Sequence, residues 1–175
     1  VFAFTGKPGV GKTTAVTKLE SLQPITVHQT DTIRKELFDT PQYTSDESKE
    51  TYETLFARVR KSLEENKNTV IDATMNLQKG RDRIENIADK TNSAVIFVHI
   101  TCDEEKTKTR LEHRSTATTV SDATVETYEK VYFEQFERPR IVIDNSNTIT
   151  DLQEKIRDTL IPLIDAEESK YKLPN

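Results

Sequence analysis

The sequence predicts an α/β fold in which helices cover both faces of a parallel sheet. Three observations predict it. Short apolar runs alternate with segments whose apolar residues recur at helical spacing, and nothing between them reads as a hairpin turn. One run, Ala94-Val-Ile-Phe-Val98, is apolar throughout, as a strand covered on both faces must be. Three of the four glycines, Gly6, Gly9 and Gly11, fall together directly after the first run. Glycine is needed where backbone turns tightly or approaches a ligand closely, so a chain this sparing of glycine has concentrated it at one place.

Val1-Phe-Ala-Phe-Thr5 reads as a buried strand running into that cluster, followed by a helix from Lys12 to about Leu22 that Pro24 stops. Ile25-Thr-Val-His28 is the second strand. Thr44-Ser-Asp-Glu47 has the spacing of a capping box. Behind it Tyr52, Leu55, Phe56, Val59 and Leu63 form a helical stripe. Thr69-Val-Ile-Asp72 is the third strand, and Ile84, Ile87 and Ala88 mark the next helix. Ala94–Ile100 is the fourth strand, with a weaker helix around Leu111 after it. Val125, Tyr128, Val131, Tyr132 and Phe136 stripe a further helix as core residues. Arg140–Asp144 is the fifth strand, and Leu152, Ile156, Leu160 and Leu163 mark the last helix. Helices are expected to end on residues such as Asn66 and Asn92, and Gly80 is expected in a loop. Strand order does not follow from the pattern.

A chain of 175 residues implies one domain. Its expected extent is residues 1–164, with a lid at about 110–121 and a frayed tail over 165–175. Only 34% of residues are hydrophobic and 31% are charged, so the helices must be strongly amphipathic. No apolar run approaches the ~20 residues of a membrane span. No signal-peptide pattern is visible, and Val1 in place of Met suggests a trimmed start. The single cysteine, Cys102, excludes an internal disulfide framework and suits a reducing compartment, so a cytoplasmic location is expected. His28, His99, His113 and Cys102 have no metal-ligand spacing. His99 and Cys102 read as packing residues. No obligate protein partner is evident.

Gly6-Lys-Pro-Gly-Val-Gly-Lys12-Thr13 matches G-x-x-x-x-G-K-[ST] at every fixed position, between a strand and a helix start. Such a loop aims backbone N–H groups at a polyphosphate, and the helix N-terminus adds its partial positive charge. The nucleotide-binding set is therefore Gly6, Lys7, Pro8, Gly9, Val10, Gly11, Lys12, Thr13 and Thr14. Lys12 should reach the β- and γ-phosphates of a nucleoside triphosphate, and the Thr13 hydroxyl should hold Mg²⁺. The loop is shared by GTPases, ATPase motors and kinases. No N-K-x-D guanine motif appears, and the chain is short for an oligomeric ATPase with a helical lid domain.

A kinase needs an acceptor site on the loops at the carboxyl ends of the strands. Three features fall there. Asp31-Thr-Ile-Arg34 follows the second strand; Asp31 could act as general base, and Arg34 could hold an acceptor phosphate or the transferring group. Asp31 reads equally well as a helix cap. Asp72 ends the third strand and suits a role on Mg²⁺ or on the acceptor, though such an aspartate is also a common turn residue. Arg110 and Arg114 share a helix face and could neutralise charge on the phosphoryl group in flight. As a solvated charged face with Glu112 they would do nothing of the kind.

This combination resembles the small P-loop kinases related to phage-type polynucleotide 5′-kinase and the zeta-toxin kinases, grouped under an AAA-type ATPase heading. The resemblance runs from Phe2 to about Leu160. It rests on Gly6–Thr13, Asp31-x-x-Arg34, Asp72-Ala-Thr-Met-Asn-Leu77 with Arg81, Arg110 with Arg114, and Ser121-Asp-Ala-Thr-Val125. It implies a three-layer fold with a five-stranded parallel sheet of order 2-3-1-4-5, an arginine-bearing lid, and ATP-dependent phosphorylation of a hydroxyl. In that reading Asp31 is the base and Arg34 an acceptor-site residue. Asp72, Thr74 and Arg81 lie near acceptor or metal, and Asn145-Ser-Asn147 lies where such kinases contact adenine. The cofactors implied are ATP and Mg²⁺.

The acceptor stays open between a polynucleotide 5′-hydroxyl and a small molecule. A polynucleotide calls for a positive track, which Arg34, Lys35, Lys79, Arg81 and Arg83 could supply, although the net charge is -5. Two alternatives remain beside the kinase: an ATP-binding switch or interaction module, and a nucleotide hydrolase whose acceptor is water.

Overall fold

The computed structural model describes residues 1–114 and 123–171. The elements alternate as expected: β1 (Phe2–Thr5), α1 (Lys12–Glu20), β2 (Thr26–Gln29), α2 (Thr30–Leu37), α3 (Ser45–Glu64), β3 (Thr69–Asp72), α4 (Gln78–Lys90), β4 (Ile96–Thr101), α5 (Glu104–Arg114), α6 (Val125–Lys130), β5 (Ile141–Asp144) and α7 (Ile149–Tyr171). The five strands form one sheet of order β2-β3-β1-β4-β5. Every pairing is parallel, with Phe4 opposite both Asp72 and Val98, and Gln29 opposite Asp72. The chain winds through β2 and β3 on one side of β1, then crosses to β4 on the other. That switch point opens a crevice beyond the carboxyl end of β1.

Side chains alternate across each strand. Phe2, Phe4, Val70, Val98 and Ile100 pack on one face with Ala15, Val16 and Leu19 of α1 and Leu152, Ile156 and Leu160 of α7. Ala3, Ile71 and Phe97 pack on the other with Ile33 of α2, Leu55, Phe56 and Val59 of α3 and Ile84 of α4. Two cores on one sheet explain why the central strands carry little polar residue content.

The helix-end signals hold, the capping box by half. The Thr44 hydroxyl accepts from the Glu47 backbone N–H and caps α3, while the Glu47 carboxylate accepts from the Gln42 N–H rather than closing the expected box. Asn66 and Asn92, just past α3 and α4, adopt left-handed φ of 55° and 51°, the conformation that usually falls to glycine at a helix end.

Three expectations need correction. The helix expected through Phe136 ends at Lys130. Beyond it the backbone bonds to the rest of the fold instead of to itself. The Tyr132 carbonyl accepts from the Asn76 side chain, and the Glu134 N–H donates to the Asn76 carbonyl. Phe133 and Phe136 then pack on His99, leaving Tyr132 exposed. Gly80 lies inside α4, not in a loop, and a Cβ there would meet nothing. The last helix also continues through Pro162 to Tyr171, past the expected start of the tail. Among the described residues no helix is long and apolar enough to cross a membrane.

Candidate active site

The glycine-rich loop joins β1 to α1 with positive φ at Gly6 (143°), Gly9 (82°) and Gly11 (98°). At all three a Cβ would also come within 3.0 Å of a neighbouring atom, Leu111 at 2.8 Å in the case of Gly9. A Cβ on Gly6 would lie 2.4 Å from the Ile100 carbonyl oxygen, and one on Gly11 would lie 2.2 Å from Nδ2 of Asn145. Asn145 is buried, and its Nδ2 donates to the Val10 carbonyl at 2.8 Å. The residue after β5 therefore braces the loop from behind. Lys12 Nζ donates to the carbonyls of Gly6 and Lys7, 3.0 Å each, folding its charge over the loop. Lys7 Nζ lies 4.6 Å from the Tyr128 ring centroid, tying the loop to α6.

At the start of α1 the Thr13 hydroxyl donates to Oδ2 of Asp72 at 2.7 Å. Gln29 Nε2 donates to the same carboxylate oxygen at 3.0 Å and to the Thr13 oxygen at 3.2 Å. The Thr32 hydroxyl donates to Gln29 Oε1 at 3.0 Å, which fixes the amide orientation. Asp72 is 4% exposed. Burial raises its pKa above the usual carboxylate range; the charge of Lys12 and the bonds from Thr13 and Gln29 oppose the rise. Gln29 went unnoticed in the sequence because nothing marks a glutamine at a strand end. The parallel register that sets it opposite Asp72 makes its role.

These donors fit Mg²⁺. The ion takes hard oxygen ligands and is held through one or two protein groups plus substrate phosphates. Thr13 Oγ1 and Asp72 Oδ2 supply such oxygens beside the loop. Among the described residues no group of three or more His, Cys, Asp or Glu could hold a metal by itself.

A cleft of 440 Å³ opens beside the loop. Lys12, Thr13, Asp31, Arg34, Asp72 and Thr74 all line it, which brings together most of the predicted catalytic and acceptor residues. Asp31 sits in the first turn of α2, whose N-cap is Gln29, so Asp31 is not the cap. The Thr74 carbonyl accepts from the Thr5 hydroxyl and binds β3 to the loop strand. Arg34 is 6% exposed. Its Nη2 donates to the Ser48 hydroxyl at 3.3 Å, and Nη1 lies 3.7 Å from a Glu47 carboxylate oxygen. Nε and Nη1 have no hydrogen-bond partner. Ser48, Tyr43 and Tyr52 also line the cleft and were not foreseen, because α3 and the loop before it read only as core and cap. Burial raises the pKa of Tyr52, whose hydroxyl accepts from the Met75 N–H.

A second cleft of 410 Å³ lies across the loop, lined by Gly11, Thr14, Arg110, His113, Asn145 and Ile149 among others. Arg110 Nη1 donates to the Cys102 sulfur at 3.2 Å and Nη2 to the Asn145 carbonyl at 3.0 Å. Arg110 thus lines this second cleft, on the side of Asn145, and not the first. Arg114 ends α5, and nothing is described of its side chain. Ser121 and Asp122, and most of the expected lid, lie outside the described residues.

Arg81 is a correction. It is fully buried and does not line the cleft. Its guanidinium donates to the Met75 carbonyl, to Gln78 Oε1 and to the Glu134 and Gln135 carbonyls, and its Cζ lies 4.7 Å from the Phe136 ring centroid. It clamps the stretch after α6 onto α4 rather than meeting an acceptor.

The profile of the AAA domain family matches residues 1–157. Solved structures share the fold. A sugar kinase from Janibacter sp. HTCC2649 is 16% identical, with 93% of this chain and 96% of that chain covered and a TM-score of 0.66. A gluconokinase from Sinorhizobium meliloti 1021 is 15% identical over 98% and 97%, with a TM-score of 0.63. Mycobacterium tuberculosis APS kinase, solved with AMPPNP and APS, is 17% identical over 91% and 96%, with a TM-score of 0.64. At these identities the likeness is one of fold. No curated protein matches the chain by sequence.

Proposed function

The chain belongs to the AAA domain family, and from that premise we propose that it is a phosphotransferase moving the γ-phosphoryl group of ATP to a hydroxyl acceptor. One observation carries the reading: the phosphate-loop residues Lys12 and Thr13 share a single cleft with Asp31, Arg34 and Asp72. A hydrolase or a switch needs the loop and the metal ligands. A further carboxylate and a buried arginine across the same space give a hydroxyl acceptor a base and a cation as well. The fold-level likeness to a sugar kinase, a gluconokinase and an APS kinase supports the same reaction class.

In this reading the acceptor oxygen attacks the γ-phosphorus, the bond from that phosphorus to the β–γ bridging oxygen breaks, and ADP leaves. Asp31 takes the proton of the attacking hydroxyl. Lys12 swings from the Gly6 and Lys7 carbonyls onto the phosphate oxygens, and the loop N–H groups hold the polyphosphate in line. Thr13 and Asp72 would hold Mg²⁺, which neutralises charge developing on the β- and γ-oxygens. Gln29 keeps the Asp72 carboxylate turned toward Thr13. Arg34 presents the nitrogens that make no hydrogen bond, Nε and Nη1, to an anionic part of the acceptor. Arg110 and Asn145, lining the second cleft, belong to the nucleotide side. Arg114, on the same helix, is assigned to charge neutralisation in the lid.

The test is transfer of label from γ-labelled ATP to a panel of sugars, nucleosides, nucleotides and 5′-hydroxyl DNA and RNA. A labelled acceptor is expected. Steady release of labelled inorganic phosphate with no labelled acceptor would move the assignment to a hydrolase.

A further inference from the structure

Tyr43 stands out in the acceptor cleft. It lies in the connection between α2 and α3, lines the cleft and keeps 49% of its surface exposed. Its backbone is left-handed, with φ of 56°, which is strained for a bulky residue. Strain of that kind collects at ligand clamps. Folding does not repay it by burying the ring. What the conformation achieves is placement: the ring lies 4.8 Å from Cζ of Arg34, the buried arginine whose Nε and Nη1 lack hydrogen-bond partners. An aromatic ring and a buried guanidinium therefore stand together in one cavity, the guanidinium ion-paired with Glu47 yet with two nitrogens that make no hydrogen bond.

We propose that Tyr43 is the stacking platform of an acceptor subsite, and that the acceptor is a compact alcohol of nucleoside monophosphate type. Such a molecule joins a flat ring to an anionic group and carries free hydroxyls. The ring lies on Tyr43, and the anion meets Arg34. This rests on the phosphotransferase reading and names its substrate class. A cleft of 440 Å³ has the volume of a small-molecule site.

A nucleic-acid strand fits less well. Of Arg34, Lys35, Lys79, Arg81 and Arg83, only Arg34 lines the cleft. Arg83 is paired with Glu53, Arg58 with Glu36, and Arg138 with Asp82 and Glu85. Phosphates beyond the first would meet Arg58, Arg83 and Arg138 already facing carboxylates.

The experiment is calorimetric titration of the full chain with the glycine-rich loop first filled by a non-hydrolysable ATP analogue and Mg²⁺. Filling it keeps the probes out of the ATP site. The probes are a nucleoside monophosphate, glycerol phosphate as a ringless anion, and a 5′-hydroxyl oligonucleotide. The nucleoside monophosphate is expected to bind about tenfold tighter than glycerol phosphate, the scale of one stacked base. The oligonucleotide should bind within about tenfold of the mononucleotide. Tyr43→Ala should erase the ring preference and Tyr43→Phe should keep it, with thermal melts confirming that both fold. The comparison of probes on the unaltered chain needs no variant. Equal binding of the ringless anion, an unchanged preference in Tyr43→Ala, or binding of none of the probes would overturn the subsite. An oligonucleotide bound more than about tenfold tighter would overturn the compact acceptor in favour of a strand. Failure to bind the ATP analogue itself would sink the phosphotransferase reading, and this subsite with it.

Discussion

The Thr13 hydroxyl donates a 2.7 Å hydrogen bond to Oδ2 of Asp72, across 59 residues of sequence. The pair joins the first turn of α1 to the end of β3, and Gln29 Nε2 bonds to both oxygens. A hydroxyl and a buried carboxylate held this close form an oxygen pair of the kind Mg²⁺ takes beside a polyphosphate. Asp72→Asn keeps the shape and removes the charge. It is expected to slow phosphoryl transfer by at least about 10². It should also weaken Mg²⁺-dependent ATP binding while leaving Mg²⁺-free binding near normal. Titration of ATP with and without Mg²⁺ checks this, and equal Mg²⁺ dependence in the two proteins would remove Asp72 from the metal site.

Asp31 lies in the first turn of α2, whose N-cap is Gln29, and lines the proposed acceptor cleft. Asp31→Asn should lower the transfer rate by about 10²–10⁴ with ATP affinity unchanged. A variant with full single-turnover transfer would show that the base is another group.

Arg81 illustrates a different kind of buried arginine. Its donors satisfy the Met75, Glu134 and Gln135 carbonyls. Removing it leaves those acceptors without their partner inside the protein, so Arg81→Ala should destabilise the fold by about 3–5 kcal/mol. Chemical denaturation measures the loss. An Arg81→Ala protein of normal stability but raised acceptor KM would restore the acceptor role that its burial argues against.

His99 supplies a pH prediction. It packs against Phe133 and Phe136, and its pKa falls from 6.5 to about 4, first through burial and then through the charges of Arg140, Arg81 and Lys12. The folded state thus binds fewer protons at His99 than the unfolded chain between about pH 6.5 and pH 4. Stability from this group is whole above the unfolded value and is lost as pH falls through that window. Melting temperature should drop on acidification there, and His99→Phe should flatten the drop. Parallel slopes in the two proteins would assign the acid sensitivity elsewhere, with His28, also lowered chiefly by burial, the next group to change.

Much was legible along the chain because the signals are local. Apolar runs place β1, β3 and β4, and the glycine cluster places the phosphate loop. Asn66 and Asn92 are visible as helix stops, because a short polar side chain tolerates the left-handed turn. Where neighbours in space compete with neighbours in sequence, the local reading fails. The helical stripe from Val125 to Phe136 is genuine in spacing, yet Asn76 and Arg81 capture the backbone beyond Lys130. The same capture turned Arg81 from a cleft arginine into a structural one.

The sequence by itself determined the parallel α/β class, the phosphate loop and the polar residues at the strand ends. These depend on periodicity and on the backbone freedom of glycine, which a chain carries wherever it goes. Tertiary structure alone decided which of those polar residues meet. The parallel register set Gln29 against Asp72, and burial left Arg34 with two nitrogens that make no hydrogen bond, beside Tyr43. It also set Arg110 on Asn145, lining the second cleft and not the first. Charge and hydrogen-bonding capacity belong to a residue. Partners, and the water they exclude, belong to the fold, and a site consists of partners.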